Sequence, residues 1–413
     1  MTLAVVWLAS RAVLVWLLEG PQAWVTGDVS YYFLSVENLS RNGLAETLVE
    51  YPLPAVGALA VPYVMATLWD GDVTTYLNMF LALAVLTDLV FAVVLWAAAR
   101  GRSLLAVTSW VLAVPLLGST TFVRFDLLPG VLCGLTVLLL ARRPSVASVL
   151  ACVATGIKLW PALLLPVLLG VGSVRRRVLV SIAATGLVLG TGSLLLAGWA
   201  RLLSPLSYQV ERGLQVESVL ATPAMLAWAL VPNTWVVGYQ SSKSFEVDGP
   251  SVSVLLAVSS GVTLLYLAAL GLLWARLAWL ARHQVDVELS TSVWIILAGV
   301  MGFVVIGKVF SPQYLLWVIP VASAALVVVD SRPLRSWTVL LLVAAGLTQV
   351  VFPANYGAIT AGVGPSAWVV SALAVRNMLV VWLFAVAATH AWQGLLLHQP
   401  GSELDLQAPA PDG

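Results

Sequence analysis

The sequence predicts an all-α polytopic membrane protein with about twelve transmembrane helices and both termini on the cytoplasmic side. Three observations predict it. Hydrophobic residues make up 61% of the chain and charged residues only 9%, whereas a soluble domain carries about 25% charged residues. Mean hydropathy is +0.98 over 413 residues, more apolar surface than a water-soluble fold could hide. Short arginine clusters punctuate the apolar runs, as cytoplasmic loops do.

Crossing about 30 Å of hydrocarbon takes about 20 helical residues. The markers are Arg100 and Arg102, Arg142 and Arg143, Arg175 to Arg177, Arg276 and Arg282, and Arg332 and Arg335. Set inside, they fix the topology. The opening stretch "MTLAVVWLASRAVLVWLLEG" lacks a basic leader and a small-residue cleavage site, so residues 3–19 read as a retained span ending outside. The run 73–99 then enters from outside and ends at Arg100. The intervening "PAVGALAVPYVMATLW", 54–69, therefore does not cross. Its Pro54 and Pro62 suit an interfacial or re-entrant helix. The further spans are 103–118, 126–141, 145–157, 158–171, 178–197, 251–275, 291–307, 313–329, 337–352 and 366–391. Those shorter than 17 residues imply half-height helices beside a polar cavity. Parity keeps 219–231 out of the count. Residues 1–395 form a single transmembrane domain with external loops at 20–72 and 198–250, followed by a disordered cytoplasmic tail, 396–413. No internal repeat is evident.

The net charge of +1 gives no reason to expect a nucleic-acid partner. Cys133 and Cys152 lie in apolar runs and read as small core residues. All three lysines, Lys158, Lys243 and Lys308, fall away from the inside markers, with Arg124 and Arg212, in outer turns and loops. The histidines, His283, His390 and His398, fall toward the inner side. An external site here has no histidine base and must use a carboxylate. Its cations at the membrane boundary need anionic partners, and a lipid phosphate fits them.

Asp28 opens "DVSYYFLSVENLSRNG", a short amphipathic helix on the membrane surface. Two readings stay open for it, helix N-cap and proton acceptor. "DGD", with Asp70 and Asp72, has the look of a metal-binding carboxylate pair but sits in a turn between apolar helices, and the turn reading is preferred. "TTFVRFDLLPG" puts Arg124 and Asp126 at one outer turn, "ATGIKLWPALLLP" puts Lys158 at another, and "GKVFSPQYLLW" puts Lys308 and Gln313 at a third. Each cation alone could snorkel to headgroups; three such turns converging on one side point to a site. Arg11, Asp88 and Arg376 lie inside spans, and an intramembrane Asp–Arg pair is expected there. "SYQVERGLQVESVLATP" carries Tyr208, Arg212, Gln215 and Glu217. A helix would put Gln215 and Ser218 on one face, as an acceptor groove or as a solvated loop helix. "TWVVGYQSSKSFEVDGP" reads as a small external hairpin.

The ordered set "GDVSYY", "EYPLPAVG", "RFDLLPG", "ATGIKLWPALLLP", "ERGLQVESV" and "FSPQYLLW" resembles glycosyltransferase family 87 over most of residues 1–395. These are membrane enzymes of the C-type glycosyltransferase fold that use polyprenyl-phosphate sugars, and the family includes actinobacterial mannosyltransferases. The excess of arginine over lysine is in keeping with a GC-rich bacterial genome. The resemblance implies a catalytic aspartate in the first external loop, here Asp28, and two juxtamembrane helices in that loop. It also implies a site facing the extracytoplasmic side of the plasma membrane. The family's "YPP" reads Tyr51-Pro52-Leu53-Pro54 in this chain.

The expected reaction is inverting, metal-independent and cofactor-free transfer of a sugar, mannose by the resemblance. The donor is a polyprenyl-phosphate sugar and the acceptor an envelope glycolipid or glycan. Asp28 is the expected general base. Arg124, Lys158 and Lys308, with Arg212 as a further candidate, are expected to bind the donor phosphate. Tyr31, Tyr51, Asp126, Tyr208, Glu217 and Gln313 are the candidate acceptor- or sugar-binding residues. The rival reading is a twelve-span secondary transporter or lipid-linked sugar flippase, which commonly shows paired halves and ionisable groups near the midplane. A non-catalytic membrane subunit is the third.

Overall fold

The computed structural model describes residues 2–99, 104–170, 175–210, 212–231, 233–361 and 364–398. Apart from one two-stranded hairpin these residues are helical, with irregular connections. Seven helices are long and apolar enough to cross a membrane: α1 (Thr2–Glu19), α5 (Val73–Ala99), α10 (Arg175–Val210), α12 (Val252–Arg282), α13 (Leu289–Ile306), α15 (Arg332–Val351) and α17 (Ala367–Leu397). The expectation of twelve spans is corrected to these seven. Four expected spans are shorter apolar helices: α6 (Leu105–Leu117), α7 (Leu127–Leu139), α8 (Pro144–Ile157) and α14 (Leu315–Val328). At about 1.5 Å per residue they reach roughly 20 Å, against about 30 Å of hydrocarbon. The expected span 158–171 is no single helix. A 3-10 turn over Trp160–Leu164 leads into the one-turn α9 (Leu165–Leu168).

Three breaks in helical geometry lie at or within a residue of the expected span ends 118, 157 and 307. Gly118, at φ 81°, stops α6, and the buried 3-10 turn Ser119–Phe122 follows. Lys158, in extended conformation, ends α8. Gly307 ends α13, and an irregular stretch runs to the 3-10 turn Pro312–Tyr314. Such backbone is tolerated at membrane depth where protein buries it. The three turns meet: the Lys158 ammonium reaches Asp126, and the indoles of Trp160 and Trp317 stack at 5.3 Å.

The core sits around α7, α13 and α14, while α1, α10 and α12 are mostly lipid-facing by burial. α7 and α14 pack closely because Gly130 and Gly134 remove side chains from the interface. A Cβ on Gly134 would lie 2.7 Å from the Phe91 ring and 2.9 Å from the Pro320 carbonyl oxygen, and one on Gly130 would strike the Leu316 carbonyl. This G-x-x-x-G spacing lets helix backbones approach. Gly130→Val is expected to destabilise the bundle by about 1–3 kcal/mol through overpacking, read as an earlier loss of the monodisperse gel-filtration peak on heating in detergent.

Two intramembrane charges pair as expected. Arg11 grips Asp88 through Nε (2.9 Å) and Nη2 (3.0 Å), and Trp7 Nε1 donates to the same carboxylate at 2.8 Å. Arg376 instead pairs with Glu217.

The segment between α1 and α5 is helical over most of the two stretches expected at 29–42 and 54–69. The helices are α2 (Gly27–Glu37), continued by α3 (Leu39–Glu46), and α4 (Leu53–Ala66). α10 runs past its expected end and kinks at Gly198, φ 79°. After the short α11 (Thr222–Leu230), the expected hairpin is present as β1 (Val236–Tyr239) paired antiparallel with β2 (Phe245–Asp248). α16 (Gly357–Thr360) precedes α17, which continues to Leu397. The markers Arg100 and Arg102 and most of the expected tail lie outside the described residues.

Candidate functional site

α2 begins after Thr26, so Asp28 lies inside the first helical turn and makes no capping bond. The N-terminal end of the helix dipole favours a carboxylate there. Its Oδ2 meets Arg124 Nη1 at 2.7 Å, and the Asp28 side chain is 46% exposed against 11% for Arg124. The guanidinium also lies 5.9 Å from the Phe352 ring centroid and reaches toward the Val25 carbonyl at 3.5 Å. Arg124 Nε is buried with no partner among the described residues.

Two residues on, Asp126 is 1% exposed and accepts from Lys158 Nζ and from Trp317 Nε1, both at 2.5 Å and both on Oδ1. The Lys158 ammonium lies 5.4 Å from the rings of both Tyr51 and Trp317 and 6.0 Å from that of Tyr314. Each such contact is worth about 0.5–2 kcal/mol. Tyr51 shares a hydroxyl contact of 3.2 Å with Tyr32, and both rings pack on Phe125. Asp28, Arg124, Asp126, Lys158 and Tyr51 are thus one contiguous cluster. The exposures divide the carboxylates: Asp28 is open to an incoming hydroxyl, while Asp126 is consumed in holding Lys158.

Beside it lies a second polar group. Tyr31 donates to Glu50 Oε1 at 2.8 Å, and burial, then the Glu50 charge, push its phenol up from its ordinary value. Lys243, in the turn between β1 and β2, sits 3.4 Å from the Tyr31 ring centroid and 3.7 Å from Glu50. Burial pulls the Lys243 ammonium down, and Glu50 opposes it. Tyr208 donates to the Ser242 carbonyl at 3.1 Å, and Arg212 reaches the same oxygen at 3.4 Å. Lys308 is half-buried, and burial pulls its ammonium down while Glu246 raises it and Arg212 lowers it further. Its carbonyl accepts from Gln215 N. Gln313 is half-buried on the Pro312–Tyr314 turn.

The stretch around Gln215 is not the helix whose face was expected. Residues 212–221 run as an irregular strap. Gln215 bridges to Glu246 and its Oε1 accepts from Phe310 N at 2.9 Å. Glu217, expected to touch acceptor or sugar, is fully buried against Arg376, whose Nη1 donates to Oε2 at 3.2 Å and whose Nη2 donates to the Glu217 carbonyl at 2.7 Å. Burial outweighs the attraction of Arg376 and pushes the Glu217 carboxyl up to about 7. Its role is to pin the strap. Asp72 caps α5, accepting from Thr75 N at 2.8 Å, in line with the turn reading of "DGD".

Sequence reasoning passed over Glu50, Lys243, Tyr32, Trp317 and Arg201 as site residues. Lys243 carried a signal, being one of three lysines away from the inside markers. Arg201 carried the same signal, as a basic residue away from the inside markers. It is 2% exposed and donates to the carbonyls of Leu44, Thr47, Leu48 and Tyr51, fixing the loop that presents Glu50 and Tyr51.

Removing the Arg124 charge is the direct test of this cluster as an anion site. Arg124→Gln is expected to weaken binding of inorganic phosphate to the detergent-solubilised protein about tenfold, the scale of a lost charge-assisted hydrogen bond. No family model, no curated protein and no solved structure matches this chain.

Proposed function

We propose that this chain is an integral membrane glycosyltransferase of the C-type fold, acting on the extracytoplasmic side of a bacterial plasma membrane. It moves a sugar, mannose by the resemblance, from a polyprenyl-phosphate donor to an envelope glycolipid or glycan. The observation that carries the reading is the pairing of an accessible carboxylate, Asp28, with a nearly buried cation, Arg124, at 2.7 Å on a surface helix beside Lys158. The short apolar helices α6, α7, α8 and α14, together with α2 and α4 of the first loop, support the C-type reading, since they leave room for a cavity beside the seven long helices. A small crevice of about 80 Å³, lined by Leu59, Pro62, Phe80, Leu83 and Leu128, has Arg124 in its wall, which sets apolar surface beside the guanidinium.

In the proposed reaction Asp28 takes the proton of an acceptor hydroxyl as its oxygen attacks the anomeric carbon. The carbon–oxygen bond to the phosphate breaks, and the phosphate leaves with the electron pair, gaining one negative charge. The leaving group is already a weak base and needs charge stabilisation rather than a proton, so one carboxylate suffices where a glycosidase needs two. Arg124 and Lys158, with Arg212 and Lys308 on the hairpin side, stabilise the added charge. Tyr31, Tyr51 and Tyr208 offer hydroxyls and ring faces to sugar, and Gln313 an amide. Transfer of radiolabelled mannose from polyprenyl-phosphate mannose, in membranes with and without the chain, tests the reading. Labelled glycolipid or glycan that appears only with the chain supports it; equal labelling in both sinks it in favour of a transporter or an accessory subunit.

A further inference from the structure

A lateral cleft of about 530 Å³ opens between α12, α13 and α17, far from the carboxylates. α12 starts beside the hairpin and carries Arg276 and Arg282 at its opposite end, a length of about 46 Å for its 31 residues. It is loosely held, with 17% of its apolar window buried against 78% for α13. Its contacts with α13 are local. The Tyr266 hydroxyl donates to the Gly299 carbonyl at 2.5 Å, the Tyr266 ring lies over Gly302, and Ser259 donates to the Ile306 carbonyl at 3.3 Å. From Tyr266 toward Arg276 the helices are separated by the cleft. Its floor is made of small residues, Ala298, Ala388 and Ala391, and its walls include Leu273, Trp392 and Leu395.

Among the described residues, the one charged side chain lining this cleft is Arg276. Its guanidinium lies 4.4 Å from the Trp279 ring centroid, and Nη2 donates to the His398 carbonyl at 2.8 Å. No carboxylate pairs with it among the described residues. Asp286 and Glu288 lie in the adjacent 283–288 segment, where Glu288 N donates to His398 Nε2 at 3.0 Å, and neither forms an ion pair with it.

We infer that the cleft holds one acyl chain of an anionic phospholipid, with its phosphate on Arg276. A flexible chain fits a cleft of about 530 Å³ whose lining is apolar apart from Arg276 and the Tyr266 hydroxyl. A guanidinium at its mouth needs an anion, because a membrane-boundary charge without one is costly, and its remaining N–H groups match phosphate oxygens. Trp279 and Trp392 flank the mouth as interfacial aromatics do. A phospholipid supplies chain and phosphate in one molecule. The site stands apart from the proposed transfer reaction and does not depend on it.

The test uses the full chain in phosphatidylcholine nanodiscs doped with phosphatidylglycerol carrying a diazirine in one acyl chain, with adducts mapped by mass spectrometry. Adducts are expected to concentrate on peptides spanning 266–276 and 388–396. Arg276→Gln should reduce them about tenfold, the scale of a lost charge-assisted hydrogen bond. Ala388→Phe, which fills the floor, should abolish them while adducts on the exposed face of α1 persist, showing a folded, embedded protein in the same sample. Labelling of the cleft no stronger than that of α1, or cleft adducts unchanged in Arg276→Gln, overturns the inference.

Discussion

Asp28→Asn is expected to lower sugar transfer by about 10²–10⁴-fold, the usual contribution of a positioned general base, with the protein still folded. The asparagine keeps the size and the acceptor oxygen of the native side chain but cannot take the hydroxyl proton. Stability should change little, because the carboxylate is 46% exposed and a partly solvated ion pair is worth about 0–1 kcal/mol. Asp126 cannot substitute: it is 1% exposed, with Lys158 and Trp317 both on Oδ1. The measurement is initial-rate transfer from polyprenyl-phosphate mannose, with gel filtration in detergent as the folding control. A folded Asp28→Asn protein that works near the native rate would take Asp28 out of the mechanism.

The second large effect concerns stability. Arg376→Met is expected to cost about 3–5 kcal/mol, because it leaves a fully buried carboxylate without its cation. Glu217 then keeps neither the Nη1 bond to Oε2 nor the Nη2 bond to its carbonyl. Glu217→Gln combined with Arg376→Met should recover much of the loss, since replacing both partners of a buried pair is often near neutral. pH gives an independent check. The Glu217 carboxyl is raised to about 7 when folded, above its unfolded range of about 4.3. A raised carboxyl contributes stability that is complete below the unfolded value and is lost as pH rises through the folded one. The Arg376→Met variant should therefore be hurt less at pH 5 than at pH 8. Heating series at the two pH values would show it, and a double variant no more stable than the single one would refute the account.

The helical membrane architecture was legible because it follows from apolar run length alone, and the long helices α5, α13 and α15 fall close to the expected limits. The count of crossings was not. Hydropathy puts the span ends at 118, 157 and 307, within a residue of where α6, α8 and α13 stop. It does not say that helices of 13 or 14 residues, as α6, α7, α8 and α14 are, fall short of a full crossing. The cluster of Asp28, Arg124, Asp126 and Lys158 was legible for a related reason. Charges are so sparse here that those stranded in turns between apolar helices must find partners, and near neighbours at 124 and 126 help. Glu217–Arg376 was not legible, since nothing local says that an acid in a polar strap will fold back against a cation 159 positions later. Trp317 was hidden in an apolar run that reads as ordinary core.

The grip of Arg201 on the loop at 44–51 has a consequence for synthesis. The guanidinium and the Tyr51 carbonyl it holds are 150 positions apart. At about 5–20 residues per second, roughly 8–30 s of translation pass between the emergence of the two. Through that interval the platform for Tyr51 and Glu50 has no arginine to set its shape, so the nascent chain carries its first loop unfinished until the tenth helix arrives.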